Sequence, residues 1–98
     1  SIITELIELF LEDAPRRTGQ IRAALKSSNS SSLAEAAHSL KGSAQNLGAT
    51  ALGTACEAVE KESKSGSLAN AYQLVEKLEA ELNHLCRLLE GEKSDSGN

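Results

Sequence analysis

The chain has 98 residues, enough for one domain with a single modest core and too short for a second. Apolar residues make up 40% and charged residues 24%, a balance that excludes wholesale disorder and fibrous repeats. Ten basic against 14 acidic side chains leave a net charge of -4, the wrong sign for neutralising a phosphate backbone, and Phe10 and Tyr72 are too few rings to stack bases, so nucleic acid is not an expected partner.

From Ser1 to Lys26, Ile3, Leu6, Ile7, Phe10, Leu11, Ala14, Ile21, Ala24 and Leu25 recur at three- and four-residue intervals, the pattern of an amphipathic helix. Pro15 interrupts it, which predicts a kink or two helices meeting at Glu12-Asp13-Ala14, with Asp13 able to cap the second piece. The polar cluster Ser27 to Ser32 reads as a loop that starts the next helix, which runs to about Asn46 and is ended by Gly48. A third helix, about Ala49 to Ser65, buries Leu52, Ala55, Cys56 and Val59 and stops at Gly66. In the fourth, Leu68, Ala71, Val75, Leu78, Leu82, Leu85 and Leu89 alternate spacings of three and four, a heptad seam that ends at Gly91. Strand signals are absent. Short loops between such helices make antiparallel neighbours, so the expected fold is all-α: an up-down antiparallel four-helix bundle over residues 1–91, with 92–98 a mobile tail.

Ile2 to Leu11 is interrupted by Glu5 and Glu8 and is far shorter than the ~20 residues of a membrane span, so no membrane contact is expected of this domain. Cys56 and Cys86 lack a C-x-x-C partner and read as reduced core residues, the companion of a cytoplasmic compartment. A chain that opens on Ser1 rather than Met is expected to be either trimmed after its initiator or, the favoured reading, a domain cut from something longer.

On the second helix, with about 100° per residue and His38 at zero, Leu33, Ala36, Leu40, Ala44 and Leu47 form a stripe centred about 210° away, with Ala37 at its edge. His38 therefore points away from the core and shares its face with Ala34, Glu35, Lys41, Gly42 and Gln45. A lone helical histidine is most simply a surface residue, but Gly42 costs about 1 kcal/mol of helix stability with no return inside the helix. It leaves bare backbone beside the imidazole, across which another protein can reach the ring.

The segment Ala37-His38-Ser39-Leu40-Lys41-Gly42-Ser43-Ala44-Gln45-Asn46-Leu47-Gly48 resembles the signature of histidine-containing phosphotransfer domains, which reads H-x-L-K-G, five residues, then G. The resemblance implies a helical bundle, found free or in hybrid sensor kinases, whose histidine takes a phosphoryl group from the aspartate of one response-regulator receiver and passes it to another. It implies that His38 is the phosphoryl acceptor and donor, Lys41 the basic neighbour that favours the phosphate and Gly42 the small residue that admits the receiver. Gln45 stands where a polar side chain can bond near the phosphate, Glu35 and Ala34 are further candidate contacts, and Gly48 is structural. Imidazole suits the role, since its unperturbed pKa of about 6.5 leaves a free nitrogen near neutral pH, and a lysine beside it opposes protonation. The resemblance further implies that the receiver supplies its own aspartate and Mg²⁺ and that the domain is a monomer that binds no cofactor and has no kinase activity of its own. No Gly-rich nucleotide loop is present.

Two alternatives remain at this level. One is an interaction bundle without catalysis, in which His38 is incidental. The other is a carboxylate/histidine metal bundle, because Glu35-Ala36-Ala37-His38 and Glu81-Leu82-Asn83-His84 share the Glu-x-x-His spacing of di-iron proteins. In those proteins the ligands project inward, whereas Glu35 and His38 face out and Glu81 and His84 flank the seam. Phe10 and Tyr72 read as core or core-rim residues, Arg16, Arg17 and Arg22 as a solvated face whose place on the first long helix sets it at the border of a docking surface, and Glu76, Glu79 and Glu81 as solubilising.

Overall fold

The structure, a computed structural model, describes the backbone of residues 1–96 and the side chains of 1–91. Four helices follow one another: α1 (Ile2–Lys26), α2 (Ser30–Asn46), α3 (Thr50–Lys64) and α4 (Ala71–Ser96). Each packs on its neighbours in sequence, and α1 closes the ring against α4; the diagonal pairs have no Cα atoms within 8 Å of one another among the described residues. That is the expected up-down bundle.

Local chemistry sets the ends. The Ser1 hydroxyl accepts from the Thr4 amide at the start of α1, and the Asn29 side chain accepts from the Ser32 amide at the start of α2. Gly48 (φ 68°) and Gly66 (φ 82°) supply the left-handed backbone that turns the chain out of α2 and α3. Side chains at helical spacing then meet on the axis: Ile21, Leu33, Leu40, Leu52, Val59, Val75 and Leu78 are fully buried, each contributing about 1.5–3 kcal/mol of transfer free energy. Cys56 is buried with them, and Cys86 is half-buried; both are free thiols. No helix among the described residues is long and apolar enough to cross a membrane.

Several expectations are corrected. Of the two forms proposed for Pro15, the split does not occur: α1 runs unbroken through it. Proline removes one backbone donor, and the flanking turns, packed on α2 and α4, hold the helix across that loss. Asp13 caps nothing; it binds Arg16 at 2.6 Å and Arg17 at 3.0 Å, and the Arg16 bond foremost lowers its pKa. Helix α4 continues past Gly91 to Ser96, because Gly91 has no left-handed φ and a glycine inside a helix costs only about 1 kcal/mol. The tail expected over 92–98 is thus helical in its backbone to 96, and its last two residues lie outside the described residues. Tyr72 is 58% exposed rather than packed, and Ile3 and Leu6, on the apolar period of α1, are exposed as well. Arg22 is half-exposed but not free: its guanidinium donates to both carboxylate oxygens of Glu79 and ties α1 to α4.

Candidate functional site

His38 stands at the middle of α2 with its side chain 67% exposed, as the periodicity requires. Its ring is nevertheless held. Nδ1 lies 3.0 Å from Oε2 of Glu60, on α3. The same carboxylate accepts from Lys41 Nζ at 2.9 Å through Oε1, and Lys64 Nζ lies 2.9 Å from Oε2. Glu60 is the only charged side chain buried among the described residues. Bonds from Lys64 and Lys41 outweigh its desolvation and hold its pKa at about 2, so it is a carboxylate at any working pH. The Glu60 bond in turn raises the pKa of Lys41.

Lys41 thus does not act on the imidazole as an isolated cation, as expected from α2 alone; its charge is matched by Glu60. Sequence reasoning missed Glu60 because two of its three partners, His38 and Lys41, lie on another helix. A signal was present: Glu60 falls on the apolar stripe of α3 with Leu52, Ala55, Cys56, Val59 and Ser63, where an unpaired charge would be costly.

The remaining candidates separate by side. Ala34 is buried, not exposed: α2 makes its most extensive interface with α3, and the buried arc widens on that flank to take in Ala34 and Ala37. Ala34 lines a groove between α2 and α3 with His38, Glu60, Ser63 and Lys64. Glu35 is exposed at the edge of that groove. Gly42 lies on the other flank of the ring, half-exposed and helical, with no atom within 4 Å of where a Cβ would stand. Gln45 is exposed and lines a separate groove with Gly48, Thr50 and Gly53 at the α2–α3 turn, not the one beside His38.

The two Glu-x-x-His pairs do not come together, since α2 and α4 stand diagonally with no Cα atoms within 8 Å of one another among the described residues, and His38 and His84 are both exposed. Among the described residues no three His, Cys, Asp or Glu side chains gather as a metal site would need. What the geometry offers instead is one imidazole with a nitrogen tied to a carboxylate, the other nitrogen open, two lysines within a carboxylate's reach and a bare approach over Gly42. An imidazole so placed is able to act as a nucleophile toward a group brought to it.

Comparison with known proteins agrees. The family model of the Hpt domain matches residues 5–88. Histidine-containing phosphotransfer protein B (HptB) from Pseudomonas aeruginosa PAO1 superposes with a TM-score of 0.90 at 30% identity, covering 94% of this chain and 80% of that one. No match is found among curated proteins. The chain therefore belongs to the Hpt domain family, and its function is histidine phosphotransfer in the relays of two-component signalling.

Proposed function

We propose that His38 is the residue that carries the phosphoryl group, taking it from the aspartyl phosphate of one receiver domain and giving it to the aspartate of another. The observation that supports this most is the placement of His38: it is the exposed imidazole beside two lysines and an open glycine, whereas His84, also exposed, has no ion-pair partner among the described residues.

Transfer from an acyl phosphate passes through a loose, in-line transition state in which positioning and charge stabilisation do most of the catalysis. This domain contributes the nucleophile, with Lys41 and Lys64 near the incoming negative charge and Gly42 leaving room for the partner. The receiver brings its aspartate and the Mg²⁺ that the chemistry requires. We take the domain to act in the cytoplasm as a monomer, where its receivers reside, and to depend on a separate kinase.

The test is transfer from an isolated receiver charged with acetyl phosphate and Mg²⁺. The chain should take up an acid-labile, base-stable label within the single-turnover time. A folded chain left unlabelled by receivers that phosphorylate other Hpt domains would refute the proposal.

A further inference from the structure

Beside His38 the seam between α2 and α3 opens into a groove of about 530 Å³, which runs from the imidazole back to Ser31 in the first turn of α2. Ala34, Ser63 and Glu60, all buried, line it. These three offer an entering group no free donor. Ala34 ends at Cβ, the Ser63 hydroxyl donates inward to the Val59 carbonyl at 2.7 Å, and the Glu60 carboxylate can only accept and is already engaged by His38, Lys41 and Lys64. A polar acceptor pressed onto them would give up its water for nothing, whereas an apolar side chain takes its own surface and theirs out of water.

We propose that this groove is a docking pocket for the receiver: it takes one aliphatic or aromatic side chain from the face that the receiver lays on His38, and Ala34, by stopping at Cβ, decides which receivers fit. The inference rests on His38 being the phosphoryl acceptor, because only then must a receiver cover it.

The occupant follows from position. His38 is itself a wall of the groove, so a receiver whose aspartate reaches the ring also covers the mouth beside it. An interface of standard size takes about 800 Å² of each partner, a disc of about 16 Å radius. Ala34 stands one helical turn, about 6 Å, from His38, so the groove lies near the centre of that disc wherever its edges fall. Binding energy concentrates in such central pockets, where a few side chains are fully desolvated inside a ring of contacts that keeps water out. The ring is present here: Glu35 is exposed on the α2 edge and Lys64 on the α3 edge, charges of opposite sign on the two sides of the mouth. A free small molecule is a poorer fit, since ligand pockets orient their ligands with convergent polar groups and this floor has no donor left to give. The groove selects by exclusion as well, because a receiver that presents a charged side chain there would have to bury it against this floor.

The experiment uses the whole chain with one isolated receiver and Mg²⁺. In the saturated complex, isotope-filtered NMR should show the Ala34 methyl group in contact with methyl or ring protons of the receiver. Ala34→Leu fills the groove from its floor and should fold, because leucine is nearly as good a helix former as alanine. It should weaken receiver binding by about 10–100-fold, the loss expected when one central side chain is shut out. The receiver concentration that gives the half-maximal transfer rate should rise with it, while the rate at saturation stays within about threefold of the parent, a split that a purely structural residue would not produce. Shortening to alanine the receiver residue that gave the NMR contact should weaken binding to the parent chain and leave binding to Ala34→Leu where it was, so the two losses do not add. Parent affinity in a folded Ala34→Leu, two losses that add in full, or a saturated complex in which the Ala34 methyl group meets no apolar proton of the receiver would each overturn the proposal. Should Ala34→Leu fail to fold, the contact in the unmodified complex decides. An unmodified chain that shows the contact yet takes no label would instead overturn the assignment of His38 on which the proposal rests.

Discussion

Gly42 is where stability and function should move in opposite directions. It lies inside α2, four residues before the helix ends at Asn46, with no left-handed φ to justify a glycine. A Cβ built there meets no atom within 4 Å, so alanine fits without displacing anything. The helix should then recover most of the glycine penalty, about 1 kcal/mol, through better propensity and a less flexible unfolded chain. For a domain of this size that raises the melting temperature by about 4–8 °C. Gly42→Gln should fold as well, because its longer side chain enters solvent rather than the core. That side chain stands on the flank of His38 not occupied by Glu60, where a displacement of ~1 Å in the reacting groups can cost about a hundredfold in rate. Melting curves and receiver-to-domain transfer rates measured on both variants check this together. An unfolded Gln variant would mean that the position is not open helix. A folded one that transfers at the parent rate would mean that the receiver does not approach across Gly42.

Three further outcomes follow from the same residues. The Glu60 carboxyl falls from 4.5 unfolded to about 2 folded, so its contribution to stability is complete above about pH 4.5 and is lost as pH falls through about 2. The drop corresponds to about 3 kcal/mol at full value, and the exposure of Lys64 reduces the expected loss to about 1–3 kcal/mol; urea midpoints that stay flat between pH 5 and pH 2 in the parent relative to Glu60→Leu would contradict it. Burial pushes the Cys56 thiol up to about 12, so a thiol reagent at neutral pH should modify Cys56 only at the rate of unfolding, and Cys86, half-buried, faster; equal rates would show that the α3 face opens locally. Incubation with labelled ATP and Mg²⁺ should leave the purified chain unlabelled, and a stoichiometric label without added kinase would reveal a nucleotide site.

Periodicity made the helices legible because burial in a ring of four imposes one apolar face on each, and Gly48 and Gly66 marked two of the turns through the backbone they alone adopt readily. The same argument placed His38 outside, since a single helix suffices to define its own outward face. What a single helix cannot define is the width of the arc its neighbours cover: Ala34 sits on the outward half of the wheel, yet the close approach of α3 buries it. Charge partners are hidden for the same reason. Glu60 meets His38 across 22 positions and Arg22 meets Glu79 across 57, and only tertiary packing brings them together. The split considered at Pro15 and the stop expected at Gly91 failed in the other direction, because local breaker signals of about one to three kcal/mol yield to packing and to strong helix formers on either side.

The identity of the phosphorylated residue is the claim on which the rest depends. Transfer of label from a phosphorylated receiver to the parent chain, His38→Gln and His84→Gln, with the acid lability of the label measured in each, tests it directly. The account predicts an acid-labile label of equal stoichiometry on the parent and on His84→Gln, and none on a His38→Gln chain whose melting curve shows it folded. Label that survives His38→Gln, or that disappears with His84→Gln, would contradict it.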